Sequence, residues 1–237
     1  MMACRCSAAV GPWFAGHAII GVLQHVLDDA RALIAVTHTS WQGCGLHWQG
    51  CGLHWVPHRR VLRSRIPASL LYWLLDPTSL THRVRQACPG RFGVRVVSQG
   101  WGRPTHDERR RLAMRRGERS LVRHVELQCD GQAWVFARTV IPAHTLTGAR
   151  RRLARLGTRP LGEYLFADPS LRRGVLELAR VHPGCEFYDL AAGTESASPA
   201  PLWGRRSVFR IKDKPLLVSE FFLPALGARA NAWPFRS

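Results

Sequence analysis

Three charged side chains each interrupt an otherwise apolar face in segments that read as β-strands. Successive side chains of a strand point to opposite faces, so residues two apart share one face. In this way Arg123, Arg138 and Glu220 each share a predicted face with three apolar side chains. The apolar neighbours are Leu121, Val125 and Leu127 for Arg123, Trp134, Phe136 and Val140 for Arg138, and Leu216, Val218 and Phe222 for Glu220.

A charge on a core-facing stripe is costly unless it is paired, so two readings are open. Glu220 could neutralise one arginine in a structural ion pair, or one of these faces could be the solvent side of the sheet. Taken together, however, two arginines and one glutamate leave a net positive charge in an apolar pocket, which suits a small, flat, anionic ligand. Arginine binds carboxylates through two parallel hydrogen bonds, and a neighbouring glutamate can supply acid–base chemistry.

Other chemical motifs are weak. The chain has no GxSxG, Walker A or GxGxxG motif, so no nucleotide cofactor is expected. His124 alternates onto the face opposite Arg123, which predicts a structural or surface role.

The heptapeptide WQGCGLH occurs twice in tandem, over 41–47 and 48–54, and supplies two CxxH pairs. The gap between these pairs is shorter than in zinc sites, so we expect no metal and interpret residues 1–54 as an extension outside the folded domain.

The net charge of +18 taken alone would suggest a nucleic-acid partner. The only lysines are Lys212 and Lys214, so 32 of the 34 cations are arginine, a ratio that also arises from the base composition of a genome. The net charge is therefore weak evidence for a nucleic-acid partner.

Residues 8–27 are interrupted by proline and histidine and make a poor signal peptide or membrane span, so we expect a cytoplasmic protein. Cys88, Cys129 and Cys185 read as free thiols in a reducing compartment.

The local patterns predict a mixture of helices and strands. Asp130-Gly131, between two alternating runs over 120–141, is typical of a tight hairpin turn. The other predicted elements are a helix ending at Asp76-Pro77, a helix from Thr78 to about Cys88, a strand over 92–99, a solvated polar segment over 107–119, helices at about 146–156 and 169–181, a mobile loop over 184–201, and strands over 205–211 and 215–223.

Five segments closely resemble the chorismate pyruvate-lyase family. They are DGQAWVFARTVIP (130–142), TLTG (145–148), LGTRPLGEYLF (156–166), LWGRRSVFRI (202–211) and KPLLVSEFFLPA (214–225). The resemblance covers about 55–226 as one catalytic domain and leaves 1–54 as the extension and 227–237 as a tail. It implies an α+β fold, in which helical flaps enclose a ligand against an antiparallel sheet. It also implies the elimination of pyruvate from chorismate to form 4-hydroxybenzoate, at the entry to ubiquinone biosynthesis, without a cofactor and by a monomer.

The resemblance also implies roles for individual residues. Arg123 matches the arginine that binds the product carboxylate, and Arg138 matches a second active-site arginine. Glu220 matches the catalytic glutamate, which contacts the ring hydroxyl of the product. Leu161 matches a ligand-contacting leucine, and Leu80 falls where some members have methionine.

These roles predict a mechanism for a substrate with two carboxylates. Arg123 is expected to hold the ring carboxylate, Arg138 the enolpyruvyl end, and Glu220 the ring 4-hydroxyl. The alternative is a non-catalytic domain of the same fold that binds or senses a small aromatic acid. A nucleic-acid-binding protein is a more distant alternative, which a steep salt dependence of DNA binding would reveal.

The extension can be tested by shortening the chain. A protein that begins at Trp55 is expected to convert chorismate as fast as the full-length protein does, because no site residue precedes Leu80. The measurement is kcat and KM of both proteins with chorismate. A large loss of activity in the folded short protein would show that residues 1–54 take part.

Overall fold

An antiparallel sheet of eight strands organises the part of the chain that the computed structural model describes, residues 53–192 and 200–230. Its strand order is β1-β6-β7-β8-β4-β3-β2, with the short β5 also paired to β7. This sheet and its helices confirm the predicted α+β fold. The strands are β1 (Val56–Pro57), β2 (Phe92–Gly102), β3 (Ser120–Cys129), β4 (Gln132–Pro142), β5 (Leu171–Arg173), β6 (Glu177–Val181), β7 (Leu202–Ile211) and β8 (Lys214–Phe222).

Short helices connect the strands. Asp76-Pro77 ends the first of them, because the residue before a proline disfavours helical backbone. Ser79, one residue after the predicted Thr78, caps the second by accepting the N–H of His82. The α-helices are α1 (Ala68–Leu75), α2 (Leu80–Ala87), α3 (His106–Arg111), α4 (Leu161–Phe166), α5 (Glu186–Ala192) and α6 (Pro224–Ala230). The 3-10 helices are His58–Arg60, Arg63–Arg65, Ala143–Thr145 and Gly148–Arg155. No helix in the described ranges is both long and apolar enough to cross a membrane.

The helix predicted over 169–181 is wrong, because this segment forms β5 and β6 on either side of Gly174. Gly174 donates its N–H to the Val208 carbonyl, and a Cβ at this glycine would lie 3.1 Å from that oxygen. Pairing with β7 thus outweighs the helix propensity of Leu, Glu, Ala and Arg. The polar segment over 107–119 begins with α3, and the predicted loop over 184–201 contains α5. The helix expected at about 146–156 is a 3-10 helix over Gly148–Arg155.

The hairpin between β3 and β4 turns at Asp130-Gly131 as predicted, but its register shifts soon afterwards. Cys129 pairs with Gln132 and Gln128 with Ala133, whereas Leu127 pairs with Val135. Trp134 is therefore an extra residue in β4. Beyond this bulge Arg123 lies opposite Thr139 and His124 lies opposite Arg138. Because one added residue exchanges the two faces of a strand, Arg138 points away from the face of Arg123.

We call the face that carries Arg123 and Glu220 the front face, and the face that carries His124 and Arg138 the back face. Two apolar cores cover the front face, one around Trp73, Leu127 and Phe222 and the other around Leu153, Phe209 and Leu216. Two rows of paired residues separate these cores across β3, β4, β8 and β7. The first row is Val125, Ala137, Glu220 and Arg205, and the second is Arg123, Thr139, Val218 and Ser207.

A disulfide joins Cys88, just after α2, to Cys129 at the end of β3. The prediction of free thiols is therefore wrong for this pair, and Cys185 is not a free thiol either. The sequence could not show this because 41 residues separate the two cysteines along the chain. The bond ties the helix that lies over the front face to the sheet.

The disulfide is expected to stabilise the fold. Replacing Cys88 with Ser should lower the free energy of unfolding by about 2–4 kcal/mol, because the cross-link restricts the unfolded chain. Urea denaturation of both proteins measures the difference, and mass spectrometry of an unreduced digest should recover one linked peptide containing both cysteines. Equal stabilities together with two unlinked thiol peptides would contradict the cross-link.

Candidate active site

A small cavity of about 50 Å³ lies between the front face and the helices α2 and α4. The two helices meet closely, since a Cβ on Gly162 would lie 2.8 Å from the Ser79 hydroxyl. Arg85 of α2 also forms an ion pair with Glu163 of α4 at 2.6 Å. The helical layer therefore covers the cavity as one unit. The cavity is lined by Thr78, Ser79, Leu80, Thr81, Leu127, Ala137, Thr139, Leu161, Gly162, Leu165, Phe166, Arg173, Arg205, Phe209, Val218 and Glu220.

Glu220 faces the cavity and is held by Arg205, its neighbour across the β7–β8 pair. Arg205 is 1% exposed and donates Nε–H to Glu220 Oε2 at 2.6 Å. Its Nη1 donates to the carbonyls of Trp73 and Asp76 at the end of α1. Within the described residues no donor bonds the other carboxylate oxygen, Oε1. One oxygen of Glu220 is thus fixed, and the other remains available to a ligand.

Arg123 is a buried cation whose hydrogen-bond partners are neutral. It is 2% exposed and donates to Gln99 Oε1 at 2.8 Å and to the Gly157 carbonyl at 2.7 Å. No carboxylate of the described residues lies within ion-pair distance of it, and burial lowers its pKa. Arg123 does not itself line the cavity, but its strand partner Thr139 does. An anionic ligand would supply the charge partner that Arg123 lacks.

Arg173 lines the cavity from β5, beside Phe209 of β7. It donates Nε–H to the Ser207 hydroxyl at 3.1 Å and Nη1–H to the Pro77 carbonyl at 2.8 Å. Arg173 and Arg205 therefore both bind the turn between α1 and α2. These contacts attach the helical cover to the sheet.

Leu80 and Leu161 both line the cavity, one from each covering helix. Together with Leu127 and Val218 they provide an apolar surrounding for the charged groups. Their contact with a ligand stays a prediction.

Arg138 does not line this cavity and points to the opposite face of the sheet, so the prediction that it shares a face with Arg123 and Glu220 is wrong, whereas its catalytic role stays a prediction. On the back face its Nε and Nη2 donate to Glu108 of α3 at 2.7 and 3.0 Å. The Trp134 bulge is the physical reason, because without it Arg138 would lie directly opposite Arg123. Arg138 is therefore one half of a buried ion pair.

The back-face charges continue along the same row of the sheet. Arg206 of β7 binds Glu177 of β6 at 2.8 Å and also pairs with Asp107 of α3. Arg111 of α3 donates to Glu177 as well. These acidic and basic groups neutralise one another, so the row attaches α3 to the sheet and leaves little charge for a ligand.

Sequence reasoning missed Arg205 and Arg173. Arg205 carried the same signal as the predicted residues, a charge within an apolar strand, but the adjacent Arg206 obscured which arginine faces inward. The face of Arg173 could not be deduced while its segment was predicted as a helix. Within the described ranges, no group of three metal-binding side chains is present.

His124 lies between the two partners that determine its protonation. Its Nε2 faces Arg138 Nη1 at 2.7 Å and must accept, so its Nδ1 carries the proton and donates to the Ser98 hydroxyl at 2.8 Å. Burial, and then the charge of Arg138, lower the pKa of His124 from 6.5 to about 4. The imidazole is therefore neutral at physiological pH, in agreement with the structural role predicted for it.

This lowered pKa predicts a pH dependence of stability. Between pH 6.5 and 4 the unfolded chain binds a proton at His124 and the folded chain does not. The stability associated with neutral His124 is thus complete above pH 6.5 and declines as the pH falls towards 4, by roughly 3 kcal/mol in all. Urea unfolding of the wild type and of His124→Gln at several pH values should show this component only in the wild type.

The exposed His106 provides the control for that experiment. His106→Gln should keep the wild-type slope between pH 6.5 and 4. The same slope in His124→Gln would mean that another group causes the decline.

Comparison with known proteins identifies the family of this chain. Residues 55–231 match the model of the family described as chorismate lyase. A "Probable chorismate pyruvate-lyase" from Azoarcus sp. (strain BH72) is 52% identical over 65% of this chain and 83% of its own length. Another, from Methylococcus capsulatus, is 48% identical over 65% of this chain and 94% of its own length.

Among solved structures, the effector domain of PhnF from Mycobacterium smegmatis is 16% identical with a TM-score of 0.49, over 64% of this chain and 91% of that one. The family match and the two curated relatives are far more specific. The family match, over residues 55–231, contains every residue of the cavity described above. The chain belongs to the chorismate lyase family.

Proposed function

We propose that this protein is a chorismate pyruvate-lyase, which eliminates pyruvate from chorismate to form 4-hydroxybenzoate. One observation carries the proposal beyond family membership. Arg123, a buried cation without a carboxylate partner among the described residues, and Glu220, a carboxylate with one unbonded oxygen, lie on the same face beneath the helical cover. In this reaction the product has a carboxylate at one end of its ring and a hydroxyl at the other.

The sheet sets the separation of these two groups. Arg123 lies on β3 and Glu220 on β8, with β4 between them. Two strand spacings place their backbones about 10 Å apart laterally. Both side chains lie on the front face, so one ring can bridge them once the helices above move outward. Arg123 then binds the ring carboxylate, and Oε1 of Glu220 accepts a hydrogen bond from the ring hydroxyl.

The reaction balances without an oxidant or a second substrate. The bond between the ring carbon and the ether oxygen breaks, and the neighbouring hydroxyl-bearing carbon loses its hydrogen. The ring becomes aromatic, and the released enolpyruvate gains a proton to become pyruvate. Glu220 orients the hydroxyl-bearing carbon and assists the proton transfer, while the cationic cavity stabilises charge on the departing oxygen.

The helical cover, which consists of α2 and α4, also excludes water from the cavity. With α2 and α4 in place the cavity is smaller than an aromatic acid, so we expect this layer to move outward when substrate enters. By the same proposal the protein acts as a monomer at the first committed step of ubiquinone biosynthesis. Its localisation to the cytoplasm stays a prediction.

The purified protein is expected to convert chorismate to equal amounts of 4-hydroxybenzoate and pyruvate, without added metal or nucleotide. Chromatography measures the aromatic product, and lactate dehydrogenase with NADH measures pyruvate. Glu220→Gln should lower kcat by about 10²- to 10⁴-fold if proton transfer is part of its role.

Glu186→Gln is the matched control, because Glu186 is exposed on α5 outside the cavity. It should retain wild-type kcat. Near-normal turnover by Glu220→Gln would remove proton transfer from the role of Glu220. If the folded wild type binds 4-hydroxybenzoate but does not convert chorismate, the sensing alternative replaces the enzyme.

A further inference from the structure

The cavity contains more positive charge than the ring carboxylate of the proposed substrate needs. Arg173 and Arg205 line the cavity, Arg123 lies on the same face beside the lining residue Thr139, and Glu220 forms an ion pair with Arg205 alone. Three positive charges and one negative charge leave a net charge of +2. This inference rests on the proposed function, in which the substrate carries two carboxylates.

Arg205 already has a carboxylate partner. Its Nε binds Glu220, and its Nη1 binds the carbonyls of Trp73 and Asp76. Moving it to a ligand would break a buried ion pair and release the helical cover, which is costly. Arg205 therefore serves as the partner of Glu220.

Arg173 differs from Arg205 in the charge of its hydrogen-bond partners. No carboxylate within the described part of the chain forms an ion pair with it, and its bonds go to neutral oxygens of Ser207, Asp76 and Pro77. These bonds use Nε and Nη1, which leaves both N–H groups of Nη2 without an acceptor among the described residues. Burial, and then the charge of Arg205, lower its pKa, while the more distant carboxylates of Glu220 and Asp76 act to raise it, and a guanidinium stays charged at any physiological pH.

Arg138, the residue first expected to bind the second carboxylate, is occupied by Glu108 on the other face of the sheet. Arg173 lines the cavity on the β5 side, whereas Arg123 lies on the β3 side. The Glu220–Arg205 pair lies between them in strand order. The two arginines without carboxylate partners thus lie on opposite sides of the Glu220–Arg205 pair.

We propose that Arg173 binds the enolpyruvyl carboxylate of chorismate, while Arg123 binds the ring carboxylate. Arg173 therefore contacts the part of the substrate that leaves as pyruvate and makes no charged contact with 4-hydroxybenzoate. It distinguishes substrate from product, since it contributes to the binding of chorismate alone.

The test compares binding of the two molecules in variants of the full-length protein. Arg173→Gln should raise KM for chorismate, or lower kcat/KM, by roughly 10- to 100-fold and change Kd for 4-hydroxybenzoate less than threefold. Arg123→Gln should weaken both ligands. Arg172→Gln is the matched control, because Arg172 is the next residue of β5 and its side chain is 82% exposed. It should change neither value.

Arg173 also anchors the turn after α1, so Arg173→Lys is a second variant. Lysine keeps the positive charge and has a single nitrogen that can donate hydrogen bonds. It should give a smaller loss for chorismate, again with unchanged affinity for 4-hydroxybenzoate. Thermal unfolding and 4-hydroxybenzoate titration show whether each variant is folded. Equal weakening of both ligands in the folded Lys variant, or no effect on chorismate in either variant, would overturn the proposal.

The wild type in the same assay tests the proposed function separately. Failure of the wild type to convert chorismate would reject the lyase. Normal wild-type turnover with unselective or absent effects of the Arg173 variants would reject only the role of Arg173.

Discussion

The register of the β3–β4 hairpin is the constraint on which the rest of the site depends. The single extra residue Trp134 reverses the faces of β4 relative to β3 beyond the turn. As a result Arg123, Ala137 and Glu220 share the front face, while His124 and Arg138 share the back. Trp134 is itself buried in the front-face core, where it packs with Leu127 and Phe222. The burial of this large side chain favours the shifted register over the uninterrupted one.

The two faces of the sheet differ in whether their buried arginines have carboxylate partners. On the back face each buried arginine has a carboxylate partner, so these charges stabilise the packing of α3 on the sheet. On the front face Arg123 and Arg173 have only neutral partners in the described structure. The desolvation cost of burying a cation is repaid only when a negative charge is supplied. The front face is therefore the side of the sheet that an anionic ligand would stabilise. Without a ligand, the rest of the fold must offset the desolvation free energy of these cations.

Much of this architecture could be predicted from the sequence. Local signals located the hairpin at Asp130-Gly131, the strands near the C-terminus and the helix that ends at Asp76. Alternation correctly identified Arg123 and Glu220 as charges within buried strands. Leu80 and Leu161, which the resemblance implies as ligand contacts, both line the cavity, and their contact with a ligand stays a prediction.

The errors have a common cause, because each depends on contacts between distant segments. A bulge cannot be deduced from alternation within one strand, so Arg138 was assigned to the wrong face. The segment of Arg173 has good helix formers and becomes a strand only through pairing with β7. Arg205 was overlooked since only the neighbour across the sheet, Glu220, reveals which of two adjacent arginines faces the cavity. The disulfide between Cys88 and Cys129 likewise needs the approach of α2 to the end of β3.

A crystal structure of the protein with bound 4-hydroxybenzoate would test how the charged residues are divided between the two faces of the sheet. We expect the ligand carboxylate on Arg123, the ring hydroxyl on Glu220, and Arg138 still paired with Glu108 on the other side of the sheet. A ligand bound to Arg138, or a hairpin in which Arg138 lies directly opposite Arg123, would contradict this expectation.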